Sequence, residues 1–516
     1  MPHDLRQPRC RRTDWRGKRR FATRRGRCND PRGAATAAHR ARAARAARAA
    51  SGARRAMLRA LPLAAIALGI AAAALPAARP VAAAERPPNI VIIFCDDLGY
   101  GDLGCYGHPT IQTPRLDRMA AEGLRLTAFY TADSVCTPSR AGLLTGRLPI
   151  RTGMCSESRR VLFPDSAGGL PDSELTLAEQ LRELGYATAA VGKWHLGHLN
   201  EYLPTRHGFD RYFGIPYSND MLPGPRPPRN AWPPLPLLRD ERVIEEDPDQ
   251  AQLTLRYTEE AIDFIRACGE RPFFLYLPHT MPHVPLYAAP PFAGASERGL
   301  YGDVVETIDY STGQILDVLA ELGLAEHTLV VFTSDNGPWL LKRNDGGSAG
   351  LLREGKGSTW EGGFRVPAIC WWPGTIAPGT SGELATTLDL WPTSVALAGG
   401  QPPPDLVLDG VDLSGLLLRG EPSLREVVHY YRGRRLYALR QGPWKLHVLT
   451  QPGYGQPQPT LHDPPLLFHL GHDPSERTDV AAEHPEVVAR LLDEIARHSA
   501  GIEAPPSQLD ALIAGP

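Results

Sequence analysis

Asn89-Ile-Val-Ile-Ile-Phe-Cys-Asp-Asp97 is the stretch from which the fold is read. Its compact apolar run, residues 89–94, ends abruptly in two acids, as a strand covered on both faces does where it leaves a parallel sheet. Three further apolar runs end in the same manner. Residues 187–191 lead into Gly192-Lys193-Trp194-His195, residues 272–277 into Pro278-His279 and then Pro282-His283, and residues 328–333 into Ser334-Asp335-Asn336-Gly337. In open α/β sheets ligands bind outside the carboxyl ends of the strands. Parallel pairing brings two acids, a lysine, histidines and an Asp-Asn pair to one edge. Each taken singly has an ordinary reading as a turn or surface residue. Four coincidences of one kind argue for a site.

The segments between these strands read as helices. Residues 113–123 open on Thr-Pro, a good cap and first-turn pair, and carry Leu116, Met119 and Ala120 at helical spacing. Residues 176–184 are a second amphipathic segment and residues 304–322 a long one. Strands alternating with helices define an α/β fold on a large, mostly parallel sheet. Residues 221–248 are Pro-rich and polar and are expected to form a long loop. Past about Gly400 the texture changes. Residues 435–439 and 444–449 flank Gly442-Pro443 as an antiparallel hairpin. A smaller C-terminal α+β domain on an antiparallel sheet is therefore expected over 401–516, after a main catalytic domain over 85–400. There is no internal repeat.

Of the 516 residues, 42% are hydrophobic and 22% charged, which excludes wholesale disorder, a collagen-like chain and a multi-span membrane protein. The net charge of -1 hides an asymmetry. Residues 1–56 hold 17 Arg and one Lys against three Asp, whereas the chain from Glu85 onward holds 36 Lys+Arg against 54 Asp+Glu. An acidic body gives a nucleic-acid partner no electrostatic support. Residues 1–56 read as a disordered basic extension or as the product of a mis-assigned start codon. Met57 then opens a signal peptide over 57–84, with Arg59 ahead of an apolar stretch from Leu61 to Leu75 and small residues for cleavage near Ala84. The apolar stretch is short for a span. The expectation is a periplasmic or secreted protein with no stable membrane span in the mature chain; a retained N-terminal anchor is the other reading.

Asp96, Asp97, Asp335 and Asn336 offer only oxygen ligands, which suit Ca²⁺ or Mg²⁺ rather than zinc. Three crowded carboxylates repel one another unless a cation joins them; separate salt bridges to some of the 51 arginines are the alternative. Only five lysines occur. Lys193 and Lys356, among them, stand where compact positive charge is needed. Six cysteines follow Ala84, with no CxxC pair and no zinc spacing, and their disulfide pairing is not readable.

Ser134-Val-Cys136-Thr-Pro138-Ser-Arg140-Ala-Gly-Leu-Leu-Thr145-Gly146-Arg147 is the strongest signal. Pro138 fits a helix first turn, which puts Cys136 at a helix N-terminus, where N–H groups and the dipole favour an anion. A reactive or merely buried cysteine is the plain reading. Here the chain resembles the sulfatase family, whose maturation signature is C-x-P-S-R followed by T-G. Asp96-Asp97, Gly192-Lys193-Trp194-His195-Leu196-Gly197, Pro282-His283, Ser334-Asp335-Asn336-Gly337 and Gly355-Lys356-Gly357-Ser-Thr-Trp-Glu361 follow the family order over about residues 88 to 490. Gly214-Ile-Pro-Tyr-Ser218-Asn-Asp and His462-Asp-Pro-Pro-Leu-Leu are similar to the arylsulfatase A and N-acetylgalactosamine-6-sulfatase branch.

The resemblance implies an alkaline-phosphatase-like fold, a mixed, mostly parallel sheet sandwiched by helices. It also implies that a formylglycine-generating enzyme oxidises Cys136 to Cα-formylglycine. Its hydrate carries two hydroxyls: one attacks the sulfate ester, and the other expels sulfate by C–O cleavage. By the same likeness one Ca²⁺ sits among Asp96, Asp97, Asp335, Asn336 and the modified residue 136. Asp335 helps deprotonate the attacking hydroxyl, Arg140 steadies the hydrate and the metal cluster, and Lys193 and Lys356 clamp sulfate oxygens. His195 takes the proton of the second hydroxyl, His283 serves the leaving alcohol, and Ser218 hydrogen-bonds sulfate or hydrate. His279 reads as a residue behind the site; His198, His207 and Glu361 read as structural. His429, Tyr430 and Tyr431 read either as pocket lining or as a core strand, and Trp371-Trp372 as sheet core. The competing readings are a phosphomonoester or phosphonate hydrolase of the wider alkaline phosphatase superfamily, and an unmatured anion-binding homologue. The sulfated sugar, lipid or small molecule that serves as substrate, and whether the chain forms a homo-oligomer, stay open.

Overall fold

A computed structural model describes residues 86–514, except 228 and 457. The basic extension and the signal peptide expected over 1–84 lie outside the described residues.

Among the described residues eleven strands form one sheet. At its centre Thr328–Ser334, Asn89–Cys95, Phe273–Pro278 and Ala187–Val191 lie side by side and parallel. The register sets the edge: Cys95 stands opposite Ser334 and Phe94 opposite Pro278, so Asp96 leaves the sheet level with Asp335. Arg365–Trp371 pairs antiparallel with Thr328–Ser334 on one side, making the sheet mixed.

Both faces are covered, which is why these strands are unbroken apolar runs. Val91, Ile93 and Cys95 point into a core shared with helices Pro114–Glu122, Gln250–Cys268 and Leu300–Glu321. Ile90, Ile92 and Phe94 point into a second core with Cys136–Thr145, Leu177–Glu183 and Leu390–Leu397. Thr176 caps Leu177–Glu183 in a reciprocal capping box with Glu179. Trp371 belongs to the first core and Trp372 to the second, as their sheet position required.

The C-terminal part is a four-stranded antiparallel sheet, Val427–Arg432, Arg435–Gln441, Trp444–Thr450 and Thr460–His469. Helix Pro485–Ala500 packs Val487 and Leu491 against Leu439, Leu446 and Leu467. His429, Tyr430 and Tyr431 lie in its first strand, with Tyr430 fully buried, so the core-strand reading holds.

Two expectations need correction. Residues 221–248 are not one loop. Pro236–Arg239 and Arg242–Glu246 form a hairpin that extends the main sheet, because Leu237 and Leu238 are buried and Asp240, at φ 54°, turns the chain. The long helix starts at Leu300, four residues ahead of the expected 304, with Tyr301 already buried. None of the six described cysteines is paired. No helix among the described residues is long and apolar enough to cross a membrane.

Candidate active site

The four strand ends and the Cys136 helix converge. Asp96, Asp97, Cys136 and His283 bring ligand atoms within 4.8 Å of one another, all buried. Cys136 opens helix Cys136–Thr145 after an extended Val135, as its place in the motif required. Its Sγ lies 3.4 Å from Asp96 Oδ1 and 3.5 Å from Lys356 Nζ. One turn on, Arg140 is fully buried. Its Nε and Nη2 donate to Asp335 Oδ2 at 3.0 and 2.7 Å, its Nη2 lies 3.4 Å from Asp96 Oδ2, and its Nη1 donates to the Lys193 carbonyl at 2.9 Å. Lys193 Nζ bonds Asp96 Oδ2 and donates to Ser218 Oγ at 3.1 Å. Lys356 Nζ pairs with Asp97 Oδ1 at 2.6 Å.

Backbone geometry serves this arrangement. Asp97 and His195 hold φ of 67° and 61°, the left-handed region that non-glycine residues seldom occupy. Gly192, at φ 132°, lies so close to the Pro278 carbonyl that a Cβ would collide with it, and the Gly192 carbonyl in turn lies where a Cβ on Gly214 would go. The loop bearing Lys193 and His195 is thereby seated backbone to backbone on its neighbours.

Electrostatics follow from burial and neighbours. Burial alone would raise the Asp96 carboxyl, but Lys193, His283, Arg140 and Lys356 together hold it well below the usual range. Asp335 goes the other way: burial and the Asp96 charge push it up to about 7 despite Arg140. Burial raises the Cys136 thiol, so it stays protonated. His195 is held well below its ordinary value by burial and Lys193. Its Nε2 faces the Leu162 carbonyl at 2.9 Å, which leaves a bare lone pair on buried Nδ1. His283 is lowered by burial and Lys356; its Nδ1 faces the Val284 carbonyl at 2.6 Å and its Nε2 lies 3.6 Å from Asp97 Oδ2.

The expected crowding of Asp96, Asp97 and Asp335 is balanced by Arg140, Lys193 and Lys356, so repulsion by itself does not demand a metal. Unsatisfied oxygen atoms do point to one. Asp97 Oδ2 and Asn336 Oδ1 are buried without a hydrogen-bond partner, while Asn336 Nδ2 donates to Asp97 Oδ1 at 2.7 Å. Together with Asp96 they make a hard, oxygen-rich donor set that fits a divalent cation. Asp335 stands a step back, with Oδ1 accepting the Asp97 N–H at 3.2 Å and Oδ2 engaged by Arg140. His283 joins Asp96, Asp97 and Cys136 in the cluster itself.

A cavity of about 760 Å³ opens over Cys136, His195, Ser218, His283 and Lys356. Its walls include residues that the sequence did not mark. Trp339 and Tyr454 stack at 5.2 Å, with Lys356 Nζ 4.7 Å from the Trp339 ring centre. Phe163 and Trp232 stack at 5.9 Å on another part of the lining, beside Arg159 and Arg229. Several expected bystanders stay outside it. His279 is fully buried and held at about 4 by burial. His207 stacks on Trp194. Glu361 accepts from the Tyr130 and Tyr430 hydroxyls, each at 2.7 Å.

A doubly covered, mostly parallel sheet with this acid, lysine and cysteine cluster at its carboxyl edge defines a class of hydrolase, and the chain belongs to the sulfatase family, the hydrolases of sulfuric esters. The sulfatase family model matches residues 88–400, and a model for the C-terminal region of aryl-sulfatase matches residues 423–514. Arylsulfatase A of Homo sapiens is 44% identical over 469 residues, covering 84% of this chain and 90% of that protein. N-acetylgalactosamine-6-sulfatase of Canis lupus familiaris is 44% identical over 457 residues, covering 81% and 87%. Among solved structures, a sulfatase from Pseudoalteromonas sp. superposes with a TM-score of 0.73 at 31% identity, covering 80% of this chain and 90% of that one. A phosphonate monoester hydrolase of Agrobacterium radiobacter, at 19% identity and a TM-score of 0.56, shares the fold.

Proposed function

We propose that this chain is an arylsulfatase-type enzyme whose Cys136 is matured to formylglycine and works beside one Ca²⁺. The observation that carries the reading is the position of Cys136: first residue of its helix, on the cavity lining, between Asp96 and Lys356. A thiol kept protonated by burial is a poor nucleophile there. A formylglycine hydrate at that position supplies two hydroxyls on one carbon, one to take the sulfuryl group and one whose deprotonation lets sulfate leave. Asp96, Asp97 and Asn336, with Asp335 behind them, would hold Ca²⁺, which would supply Lewis acidity toward a sulfate oxygen.

The chain's own residues do the rest. Lys193 and Lys356 meet sulfate oxygens as buried, fixed cations, each worth about 3–4 kcal/mol to the transition state. Ser218, held by Lys193, adds a hydroxyl donor. Arg140 locks Asp335 and Asp96 in place. Asp335 accepts the proton of the attacking hydroxyl. The free Nδ1 lone pair of His195 suits it to accept the proton in the release step. His283, with Nδ1–H held on the Val284 carbonyl, gives the departing alcohol a proton from Nε2 when the ring is doubly protonated. Residues 85–400 form the catalytic domain and 401–516 the smaller one, which contributes Tyr454 to the cavity. Removal of residues 57–84 on export puts the mature enzyme in the periplasm or outside the cell.

The test is turnover of 4-nitrophenyl sulfate and 4-nitrophenyl phosphate by protein produced together with a formylglycine-generating enzyme, before and after calcium chelation. Sulfate hydrolysis is expected to dominate and to fall on chelation. Phosphate hydrolysis as fast as sulfate hydrolysis would falsify the reading.

A further inference from the structure

Glu361, Lys445, His447 and Glu476 are fully buried and take no part in the chemistry above. They lie where strand Trp444–Thr450 of the small sheet meets the segment carrying Lys356. Lys445 Nζ donates to the Thr359 carbonyl at 2.9 Å and to Glu361 Oε1 at 3.0 Å, and it forms an ion pair with Glu476 Oε1 at 3.0 Å. Glu476 Oε2 accepts the Glu361 backbone N–H at 2.7 Å, and its Oε1 lies 2.7 Å from His447 Nε2. Burial and Lys445 lower His447, so the lysine is the cation at the centre of the cluster. Arg365 and Arg440 stand further off, at 3.5 and 3.8 Å from Glu361.

The same segment is pinned residue by residue back to Lys356. Lys356 N donates to the Pro338 carbonyl at 2.9 Å and Gly357 N to the Ser134 carbonyl at 2.8 Å. The Trp360 ring packs 4.4 Å from His447. Apolar residues would fill such a buried space at least as favourably as an ion cluster. What the ions add is a single geometry for the backbone of residues 359–361, and with it the root of Lys356.

We propose that Lys445 is a positioning residue for the sulfate clamp: by holding residues 359–361 it sets where Lys356 Nζ stands over residue 136. The inference rests on the role of Lys356 given under the proposed function. The experiment measures binding of inorganic sulfate by calorimetry, and KM and kcat for 4-nitrophenyl sulfate, on the full matured chain. The variants are Lys356→Ala, Lys445→Met, their combination, and the charge-matched pair Lys445→Met/Glu476→Gln, with folding checked by circular dichroism. Lys445→Met is expected to weaken sulfate about tenfold or more in folded protein and to add less than about twofold once Lys356 is already Ala. Additive losses overturn the proposal. So does sulfate affinity within about twofold of wild type in folded Lys445→Met. If that variant does not fold, the charge-matched pair decides by the same criterion. Unchanged sulfate binding in Lys356→Ala would instead sink the role of Lys356 itself, and the positioning role with it.

Discussion

Replacing Arg140 by Met tests the charge balance on which the site is built. The guanidinium is fully buried, 2.7 Å from Asp335 and 3.4 Å from Asp96. At 2.7 Å, and with an effective dielectric of about 20, the leading attraction is about 6 kcal/mol before desolvation is subtracted. Breaking a buried pair by removing one partner costs about 3–5 kcal/mol, because the other charge stays behind. Met keeps most of the volume, so the loss is chiefly electrostatic. Arg140→Met should therefore unfold about 3–5 kcal/mol more easily than wild type in the presence of a chelator. Asp335, already raised to about 7, is raised further without Arg140, so at a pH well above 7 the cluster holds three carboxylates against two lysines and attracts Ca²⁺ more strongly. A ligand at 100 times its Kd stabilises by about 2.7 kcal/mol, and each tenfold gain in affinity adds about 1.4. Excess Ca²⁺ should accordingly narrow the gap between variant and wild type. Urea unfolding followed by circular dichroism, with chelator and with Ca²⁺, measures both. A variant within about 1 kcal/mol of wild type in chelator, or a gap that Ca²⁺ leaves unchanged, refutes the reasoning.

Other consequences are checked more simply. Lys193→Ala and Lys356→Ala should each lower kcat/KM for an aryl sulfate by about 10²–10³, read from initial rates; losses under tenfold would remove them from the clamp. In protein from a host with the maturation system, mass spectrometry of the tryptic peptide spanning residues 126–140 should show the CH2SH group of residue 136 converted to an aldehyde, with sulfur and two hydrogens lost and one oxygen gained. An intact thiol there argues against catalysis. His207 is buried against Trp194 and held at about 4 by burial, below its unfolded value of about 6.5. The unfolded chain thus binds this proton first, and stability present above pH 6.5 is lost as pH falls toward 4. His207→Phe should spare about 2–3 kcal/mol of the loss between pH 7 and 4.5 in urea unfolding. An unchanged pH dependence would mean that His207 is not the group responsible.

What could be read from the sequence, and what could not, divides along physical lines. Strands such as Thr328–Ser334 were legible because cover on both faces leaves an apolar run without interruption, and the site residues follow those strands directly. Leu124–Tyr130 and Arg365–Trp371 escaped notice. Arg125, Thr127, Arg365 and Pro367 break their patterns, and Arg365 spends its charge on the Thr127 carbonyl inside the fold. Helix Gln250–Cys268 has its signals, an Asp249 cap and Leu253, Tyr257 and Ala261 at helical spacing, but the proline-rich stretch ahead of it obscured them. Trp339, Tyr454 and Arg159 carried no local pattern, because loops and the small sheet bring them to the cavity only after the chain has packed. The need for a metal was inferred from three acids. Three cations from separate parts of the chain answer them, and no spacing rule foretells that.

The glycine joint between the Lys193 loop and its neighbours has a bearing on engineering. With Gly192 pressed on Pro278 and Gly214 on Gly192, a library that varies these positions would pry apart the platform before it altered what the enzyme accepts. Selections for new sulfate esters belong on the cavity walls, at Phe163, Trp232 and Tyr454, where a changed side chain meets the ligand and leaves the strand ends as they are.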